Sequence, residues 1–238
     1  MRDLPPPLPP GERTVGQLIG ETIRTYGDNF WRALPLGLAV AAADQAGVHR
    51  AVAATMLIYL AAAPLFVGGY LWACSLVLRK PITRTAVLTA SLVYLPFPLL
   101  HVYILPGLAW FAYIGLAVPA VMVERLDLKA AVKRGRSLGS ADFVHSFGSL
   151  CALVLVVGIA EITLARLLDT QGDSSQRVAL FLTDLILSPL LFLGGAMLYA
   201  DQAARVGSRG PDRRSRDAHL HPPLDADVAG RADAESQS

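Results

Sequence analysis

The chain has 238 residues, of which 53% are hydrophobic and 17% charged, and its mean hydropathy is +0.45. This balance lies well above that of a soluble globular domain and indicates a membrane protein. A formal net charge of only +2 argues against the strong field of a nucleic-acid-binding protein, and two cysteines within apolar segments argue against a disulfide framework.

The N-terminal region combines a proline-rich arm with an amphipathic segment. Residues 1–13 are rich in proline and charge, so we predict a disordered arm without the apolar core of a signal peptide. From Thr14 onward the apolar positions recur with the spacing of one helix face, and Thr14 with Gln17 forms a capping-box pattern. We therefore predict an interfacial helix over 14–26 that is too polar to cross a bilayer.

Long apolar segments follow. The run from Ala51 to Leu78 contains no charged residue, and about 20 apolar residues are enough for one crossing. A tight reversal at Leu105-Pro106-Gly107 is predicted to join the third and fourth segments, and 207–238 is predicted to be a disordered cytoplasmic tail. The pattern predicts an all-α, polytopic membrane bundle with six transmembrane helices, at about 29–46, 51–78, 85–103, 106–123, 143–168 and 178–204.

A second amphipathic helix is predicted over 127–138, with Asp127 as its N-cap and Gly139 at its end. Its polar side is basic and lies between two membrane segments, so anionic lipid headgroups are a simpler partner than nucleic acid. The residues predicted to contact these headgroups, including one on the first amphipathic helix, are Arg24, Lys129, Lys133, Arg134 and Arg136.

The distribution of basic residues sets the predicted orientation. With both termini in the cytoplasm, six crossings leave only three of the 21 lysines and arginines near the outer side, namely Arg50, Arg166 and Arg177. This asymmetry satisfies the positive-inside rule. We therefore predict a multi-pass protein with both ends inside.

Two stretches of the sequence are nearly alike. PLFVGGYLWACSLVLR, at 64–79, and PLLFLGGAMLYADQAAR, at 189–205, both place a proline, an apolar triplet or quartet and Gly-Gly before an apolar run that ends on arginine. Each stretch closes a unit that begins with an amphipathic helix and runs in the same direction. This pattern predicts a parallel internal repeat with a hairpin inserted between the copies.

Three motifs resemble those of a known bacterial family. LDLKAAVKRGRSLGSADF, LPGLAWFAYIGLAVPAVMVE and SPLLFLGGAMLYADQAARVG resemble the amphipathic loop, the Pro-Gly helix and the terminal proline helix of membrane domains of the glycerophosphoryl diester phosphodiesterase type and of YciC-like inner-membrane proteins. The last motif is carried by Leu198, Tyr199, Asp201 and Arg205. The resemblance implies a bacterial cytoplasmic (inner) membrane protein and supports architecture far more than mechanism.

The resemblance also bears on catalysis. Phosphodiesterase members carry a soluble catalytic barrel after the membrane part, and a barrel needs about 250 residues, whereas only about 30 tail residues follow here. We therefore expect a non-enzymatic protein without a cofactor. A metal site at His219 and His221 has too few ligands to be favoured.

Ionisable residues within membrane segments are the remaining candidates for function. Glu161, Arg166 and Asp184 form the predicted buried charge cluster, with Asp44 and His101 also near outer helix ends. One interpretation is a structural pin in which Arg166 pairs with an acid, and the other is a functional site. His145 is predicted to be an interfacial hydrogen-bonding residue.

Two functions therefore stay open. The first is a membrane scaffold, accessory or lipid-handling component that works with a membrane-protein partner or as a homo-oligomer. The alternative is a small transporter or permease that uses the charged cluster, and an intramembrane enzyme ranks last. A transporter needs a polar cavity that reaches toward the bilayer midplane, whereas a scaffold should have paired charges and a dry interior.

Overall fold

The computed structural model describes residues 10–98, 103–168 and 173–208, and helix is the regular structure of this part of the chain. The predicted all-α class is confirmed for these residues. The helices are α1 Val15–Asp28, α2 Phe30–Gly47, α3 Val52–Leu78, α4 Arg84–Tyr94, α5 Ile104–Trp110, α6 Ala117–Glu124, α7 Leu128–Ala141, α8 Phe143–Leu167, α9 Asp173–Leu187 and α10 Pro189–Ser208, with a π-helical turn, Phe111–Gly115, between α5 and α6.

Four helical stretches within the described residues are long and apolar enough to cross a membrane. They are Val52–Leu78, Ile104–Glu124, Phe143–Leu167 and Ser174–Gly207. Large apolar side chains project outward from them, as at Ile159, which is 62% exposed on α8. An apolar outer surface of this kind is expected where lipid, and not water, surrounds the bundle.

The other two predicted crossings are not established by length and composition. α2 carries Asp44 in its last turns and Pro35 near its start, which lower its mean hydropathy. α4 has only 11 residues and ends at Tyr94; Leu95 keeps helical dihedral angles, but Pro96 has no amide hydrogen, so the Leu92 carbonyl lacks its usual helical donor. The predicted segment 85–103 is therefore not one continuous helix, and its residues 99–102 lie outside the described part.

α1 begins as the sequence predicts. The Thr14 hydroxyl accepts a hydrogen bond from the Gln17 amide, and the Gln17 side chain accepts one from the Thr14 amide, which completes the capping box. α1 packs against α10 and α8 through the buried face of Leu18, Thr22 and Tyr26. This contact places the polar face of α1 outward.

The predicted reversal at Leu105-Pro106-Gly107 is wrong. These residues form the first turn of α5, where the proline is tolerated because the first amides of a helix lack intrahelical acceptors.

The last predicted span, 178–204, is divided at Ser188 into α9 and α10. Pro189 has no amide hydrogen, so the Leu185 carbonyl lacks its usual helical donor. α2 packs on this point through Gly37, since a Cβ atom at Gly37 would lie 2.1 Å from the Leu185 carbonyl oxygen. The glycine thus allows α2 and α9 to approach closely along their backbones.

α7 docks through a Gly-x-x-x-Gly pair. A Cβ atom at Gly135 would lie 2.5 Å from the Ala117 nitrogen, and one at Gly139 would lie 2.5 Å from the Ala112 carbonyl oxygen. Small residues at this spacing let two helices approach at backbone distance. Gly139 therefore serves packing and does not end the helix, which continues to Ala141; Asp127 is the N-cap residue but makes no side-chain capping bond.

The two similar proline and Gly-Gly stretches lie side by side. A Cβ atom at Gly69 of α3 would lie 3.7 Å from the Phe192 ring, and one at Gly195 of α10 would lie 3.3 Å from the Tyr70 ring. The glycines thus leave room for aromatic rings between α3 and α10. Both rings line the cavity described next.

Candidate functional site

A cavity of about 320 Å³ lies inside the helical bundle. On α8 it extends from Leu150 to Glu161, a distance of about 16 Å at the helical rise of 1.5 Å per residue. It is therefore elongated along the bundle axis. Its lining residues are Val40, Asp44, Tyr59, Phe66, Tyr70, Tyr94, Phe97, Ile104, Gly107, Leu108, Phe111, Gly115, Leu116, Leu150, Val154, Glu161, Leu191, Phe192, Gly195 and Leu198.

One wall of the cavity is a continuous group of aromatic rings. Tyr59 and Phe66 stack with centroids 5.8 Å apart, and Phe66 contacts Phe97 at 4.8 Å. Tyr94 continues the series, at 5.5 Å from Phe97 and 5.0 Å from Phe111. Aromatic pairs at these distances attract each other, so the wall is well fixed and presents ring faces and edges to the cavity.

One end of the cavity carries carboxyl groups from three helices. Asp44 on α2 accepts a hydrogen bond from the hydroxyl of Tyr59, which lies on α3 and is 2% exposed. Glu161 on α8 lines the cavity, and its carboxyl group lies within hydrogen-bonding reach of Asp184 on α9. Asp184 is 5% exposed. The structure thus unites Asp44 with two acids of the predicted charge cluster.

The predicted ion pair of Arg166 is wrong. Arg166 is exposed, and no salt bridge joins it to Glu161 or Asp184 in the described residues. A separation of five residues rotates a side chain by about 140° around a helix, so Arg166 points away from the cavity that Glu161 lines. Arg166, which the sequence suggests as a counter-ion, therefore does not neutralise the carboxyl groups at this end of the cavity.

The π-helical turn continues the aromatic wall at Phe111 and also borders the cavity through Gly115. Pro119 has no amide hydrogen, so the Gly115 carbonyl lacks its helical donor. The buried Tyr70 hydroxyl donates to this carbonyl at 3.2 Å. π-helical turns occur frequently at functional sites, and here the turn places Phe111 and Gly115 on the cavity.

A second polar cluster lies at the other end of α8 and α10. Asp201 is fully buried and accepts hydrogen bonds from the Arg205 Nε at 2.9 Å and the Gly11 amide at 3.0 Å. The His145 Nε2 lies 3.0 Å from Asp201, and the Arg205 Nη1 lies 3.2 Å from Asp142. Asp142 also caps α8 by accepting from the His145 amide.

This second cluster was not predicted as a site, although the sequence holds a signal for it. Asp201 and Arg205 have the i, i+4 spacing of a helical ion pair. Arg205 also donates to the Arg13 carbonyl, so the end of the N-terminal arm is held on α10. The sequence predicts disorder over residues 1–13, whereas Gly11 and Arg13 are bonded to α10. Residues 1–9 lie outside the described residues.

The predicted lipid-contacting residues divide into two groups. Arg24, Lys129, Lys133 and Arg136 are exposed. Arg134 is instead bonded to Glu124, with Nε 2.9 Å from the carboxylate, and Arg136 also lies over the Tyr113 ring at 5.3 Å. The two lysines of α7 are thus the cations most available to a headgroup.

The remaining candidates give no cluster. Cys74 is buried and Cys151 half-buried, and no group of three or more metal-ligating side chains forms in the described residues. His101, His219 and His221 lie outside that part of the chain.

No family model, curated protein or solved structure matches this chain.

Proposed function

We propose that this chain is a small membrane transporter or permease whose ligand occupies the aromatic cavity. The observation that carries the proposal is the cavity itself, which has the size of a ligand pocket and carries the carboxyl groups of Asp44 and Glu161 at one end. Most of its lining is aromatic or aliphatic, so it differs from the polar cavity that the sequence-based criterion asks of a transporter. A scaffold should have a dry, filled interior without such a space. The exposed position of Arg166 removes the pairing on which the structural-pin hypothesis rests.

Polar side chains continue from the inner end of the cavity. Ser149 precedes the lining residue Leu150, and Gln202 lies one helical turn beyond the lining residue Leu198. Ser146, Ser149 and Gln202 are fully buried, and their side-chain polar atoms have no hydrogen-bonding partner in the described residues. Buried polar groups of this kind usually bind ordered water, so they favour a hydrated route toward His145 and Asp201.

The finer architecture belongs to the same proposal. We expect six crossings, with both termini cytoplasmic, in the inner membrane of a bacterium. α2 packs against α3 and α9, which belong to candidate spans, and this position supports its assignment as a crossing. α1 and α7 both have 14 residues, and a single residue separates each from a helix that begins with phenylalanine, which supports the parallel repeat.

A lipid-handling role is the second candidate function. Lys129 and Lys133 are exposed on α7, and each basic residue near an anionic surface contributes about 1 kcal/mol of attraction. Such contacts hold α7 at the headgroups without catalysis. Both functions are non-enzymatic.

Accessibility of the cavity to water separates a transporter from a scaffold. In a background with Cys74→Ala and Cys151→Ala, the Val154→Cys variant places a thiol on the cavity wall. Val156→Cys is the matched control, because Val156 is 42% exposed on the outer surface of the same helix and so faces lipid. Ser175→Cys, at an exposed position on α9, reports that the reagent is active.

A membrane-impermeant methanethiosulfonate reagent is then applied to vesicles of both orientations. We expect labelling of Val154→Cys and Ser175→Cys and protection of Val156→Cys. If Val154→Cys stays unlabelled in both orientations while Ser175→Cys reacts, the interior is dry and the transporter proposal fails.

A further inference from the structure

We infer that the proposed transporter is coupled to protons, which move between the cavity and His145 through water bound by buried polar side chains of α8 and α10. This inference rests on the proposed function, because it names the ion that moves with the ligand of the same cavity. Three observations carry it: polar side chains without partners, their position next to the cavity, and the hydrogen-bonding surroundings of the imidazole.

Three polar side chains of α8 and α10 are buried without a hydrogen-bonding partner. They are Ser146, Ser149 and Gln202, and each is fully buried. Both serine hydroxyls and both polar atoms of the Gln202 amide lack a partner in the described residues. A buried polar group is costly to leave unpaired, and one without a protein partner usually binds ordered water. Water both donates and accepts hydrogen bonds, so it satisfies the hydroxyls and the amide together.

α8 and α10 face each other along the interval that holds these side chains. A Cβ atom at Gly194 of α10 would lie 2.3 Å from a methyl carbon of Leu153 on α8. About two helical turns away, the His145 Nε2 on α8 lies 3.0 Å from the Asp201 carboxylate on α10. The helices therefore run antiparallel in direct contact, and both buried serines lie between the two contacts.

The distance between the cavity and His145 is short. On α8, the lining residue Leu150 lies five residues from His145, or about 7.5 Å at 1.5 Å per residue. Hydrogen-bonded oxygen atoms are about 2.8 Å apart, so about two or three waters cover this distance. Ser149 adjoins Leu150, and Ser146 adjoins His145. Water bound to the serines and to Gln202 thus forms a continuous chain from the cavity to the imidazole.

His145 is suited to exchange a proton, because its Nε2 faces both a donor and an acceptor. The Arg205 Nη2 lies 3.2 Å away and donates to a neutral imidazole that carries its proton on Nδ1. The Asp201 Oδ2 lies 3.0 Å away and accepts from Nε2 once Nε2 is protonated. The ring therefore keeps a hydrogen bond in both states without rotating. In uptake, a hydronium ion of the water chain gives its proton to the neutral imidazole, which leaves water and imidazolium; release reverses the step.

The surroundings of His145 connect it to solvent and place charged groups around it. Its side chain is 12% exposed, so a proton at the imidazole also reaches the water outside the bundle. The charged groups nearby are Asp142 on α8, Asp201 and Arg205 on α10, and Arg13 of the arm, whose carbonyl accepts from Arg205. α1 packs on the same two helices through a buried face whose titratable residue is Tyr26. An imidazolium at this position therefore lies beside carboxylates of both helices.

An acid jump on a solid-supported membrane tests the inference without a transported ligand. Proteoliposomes of the purified full-length protein contain both orientations, and protons that enter the water chain displace charge within the membrane. We expect a transient current that protein-free liposomes do not give. His145→Gln and Gln202→Leu should each abolish it, and His49→Gln, at an exposed position beyond α2, should leave it unchanged.

Two features keep this test independent of variant folding. Gln202→Leu exchanges an unpaired buried amide for an apolar group of similar size, so thermal stability in detergent should not fall. In the wild-type protein, the current should decay more slowly in D₂O than in H₂O, because protons carry it; an equal decay overturns the inference.

The remaining outcomes separate the inference from the proposed function. No current beyond that of liposomes, while Val154→Cys is labelled, overturns proton coupling and leaves the transporter standing. A current that persists in either His145→Gln or Gln202→Leu overturns the route. If Val154→Cys stays unlabelled, the proposed function fails and proton coupling fails with it.

Discussion

Among the ion-paired side chains in the described residues, Asp201 is the least exposed to solvent. Its carboxylate is fully buried and meets Arg205, His145 and the Gly11 amide within about 3 Å. A buried charge pair adds little over an apolar substitute, but removal of one member is costly because the remaining charge stays buried; without Asp201, Arg205 keeps Asp142 as its carboxylate partner. Asp201 therefore determines how tightly the N-terminal arm, α8 and α10 hold together.

We predict that Asp201→Ala lowers the free energy of unfolding by about 3 kcal/mol, since Arg205 and His145 lose a buried partner. Thermal unfolding in detergent measures the change. The control is Glu21→Ala, whose ion pair with Arg24 lies at the surface and has an N–O distance of 3.7 Å, so a loss of at most about 0.5 kcal/mol is expected. Equal effects of the two variants would contradict the prediction.

The residues also show what a sequence can and cannot predict at this scale. The capping box of Thr14 and Gln17 depends on local chain geometry and follows directly from the sequence. The partner of Glu161 depends on which face of α8 meets the cavity, and a five-residue spacing does not settle that. Asp184 and Asp44 reach Glu161 from two other helices, so only the packing of the bundle reveals the three-acid group.

At the scale of elements, proline and glycine positions decide how the helices meet. Pro189 ends α9 and frees the Leu185 carbonyl, and Gly37 lets α2 pack directly on that carbonyl. The sequence predicts the helices of 14–26, 51–78 and 143–168 within about two residues, because their periodicity and caps are local. It does not predict the division at Ser188, since proline is also tolerated within continuous membrane helices.

We predict that Gly37→Ala lowers the free energy of unfolding by about 3 kcal/mol, because backbone on both sides leaves no room for a methyl group. Gly68→Ala on α3 is the matched control, since nothing lies within 4 Å of a Cβ atom there. Alanine also favours helix over glycine, so this control should lose no stability. Thermal unfolding of both variants measures the difference, and a tolerated Gly37→Ala would show that α2 and α9 do not touch.

At the scale of the whole molecule, four candidate spans indicate a membrane protein, and the charge distribution predicts six crossings. Length and composition identify spans only when they are long and strongly apolar. α2 and α4 fall short of that, so their assignment depends on packing and on the side to which their ends are exposed.

Reporter fusions test the six-crossing topology. A reporter after Lys80, within 129–136 or in the tail should report the cytoplasm, and one within 171–175 should report the outer side. Fusions at the same positions to alkaline phosphatase and to a fluorescent protein report the outer side and the cytoplasm, respectively. The topology is wrong if the 171–175 fusion and the tail fusion lie on the same side.

The central claim is that the cavity inside the bundle is a water-accessible transport route, and thiol labelling of its wall tests this most directly. In the background without Cys74 and Cys151, Val154→Cys on the cavity wall should react with a membrane-impermeant methanethiosulfonate reagent, whereas Val156→Cys on the outward side of the same helix should stay protected. A Val154→Cys variant that stays unlabelled from both sides of the membrane, while Ser175→Cys reacts, would contradict the claim.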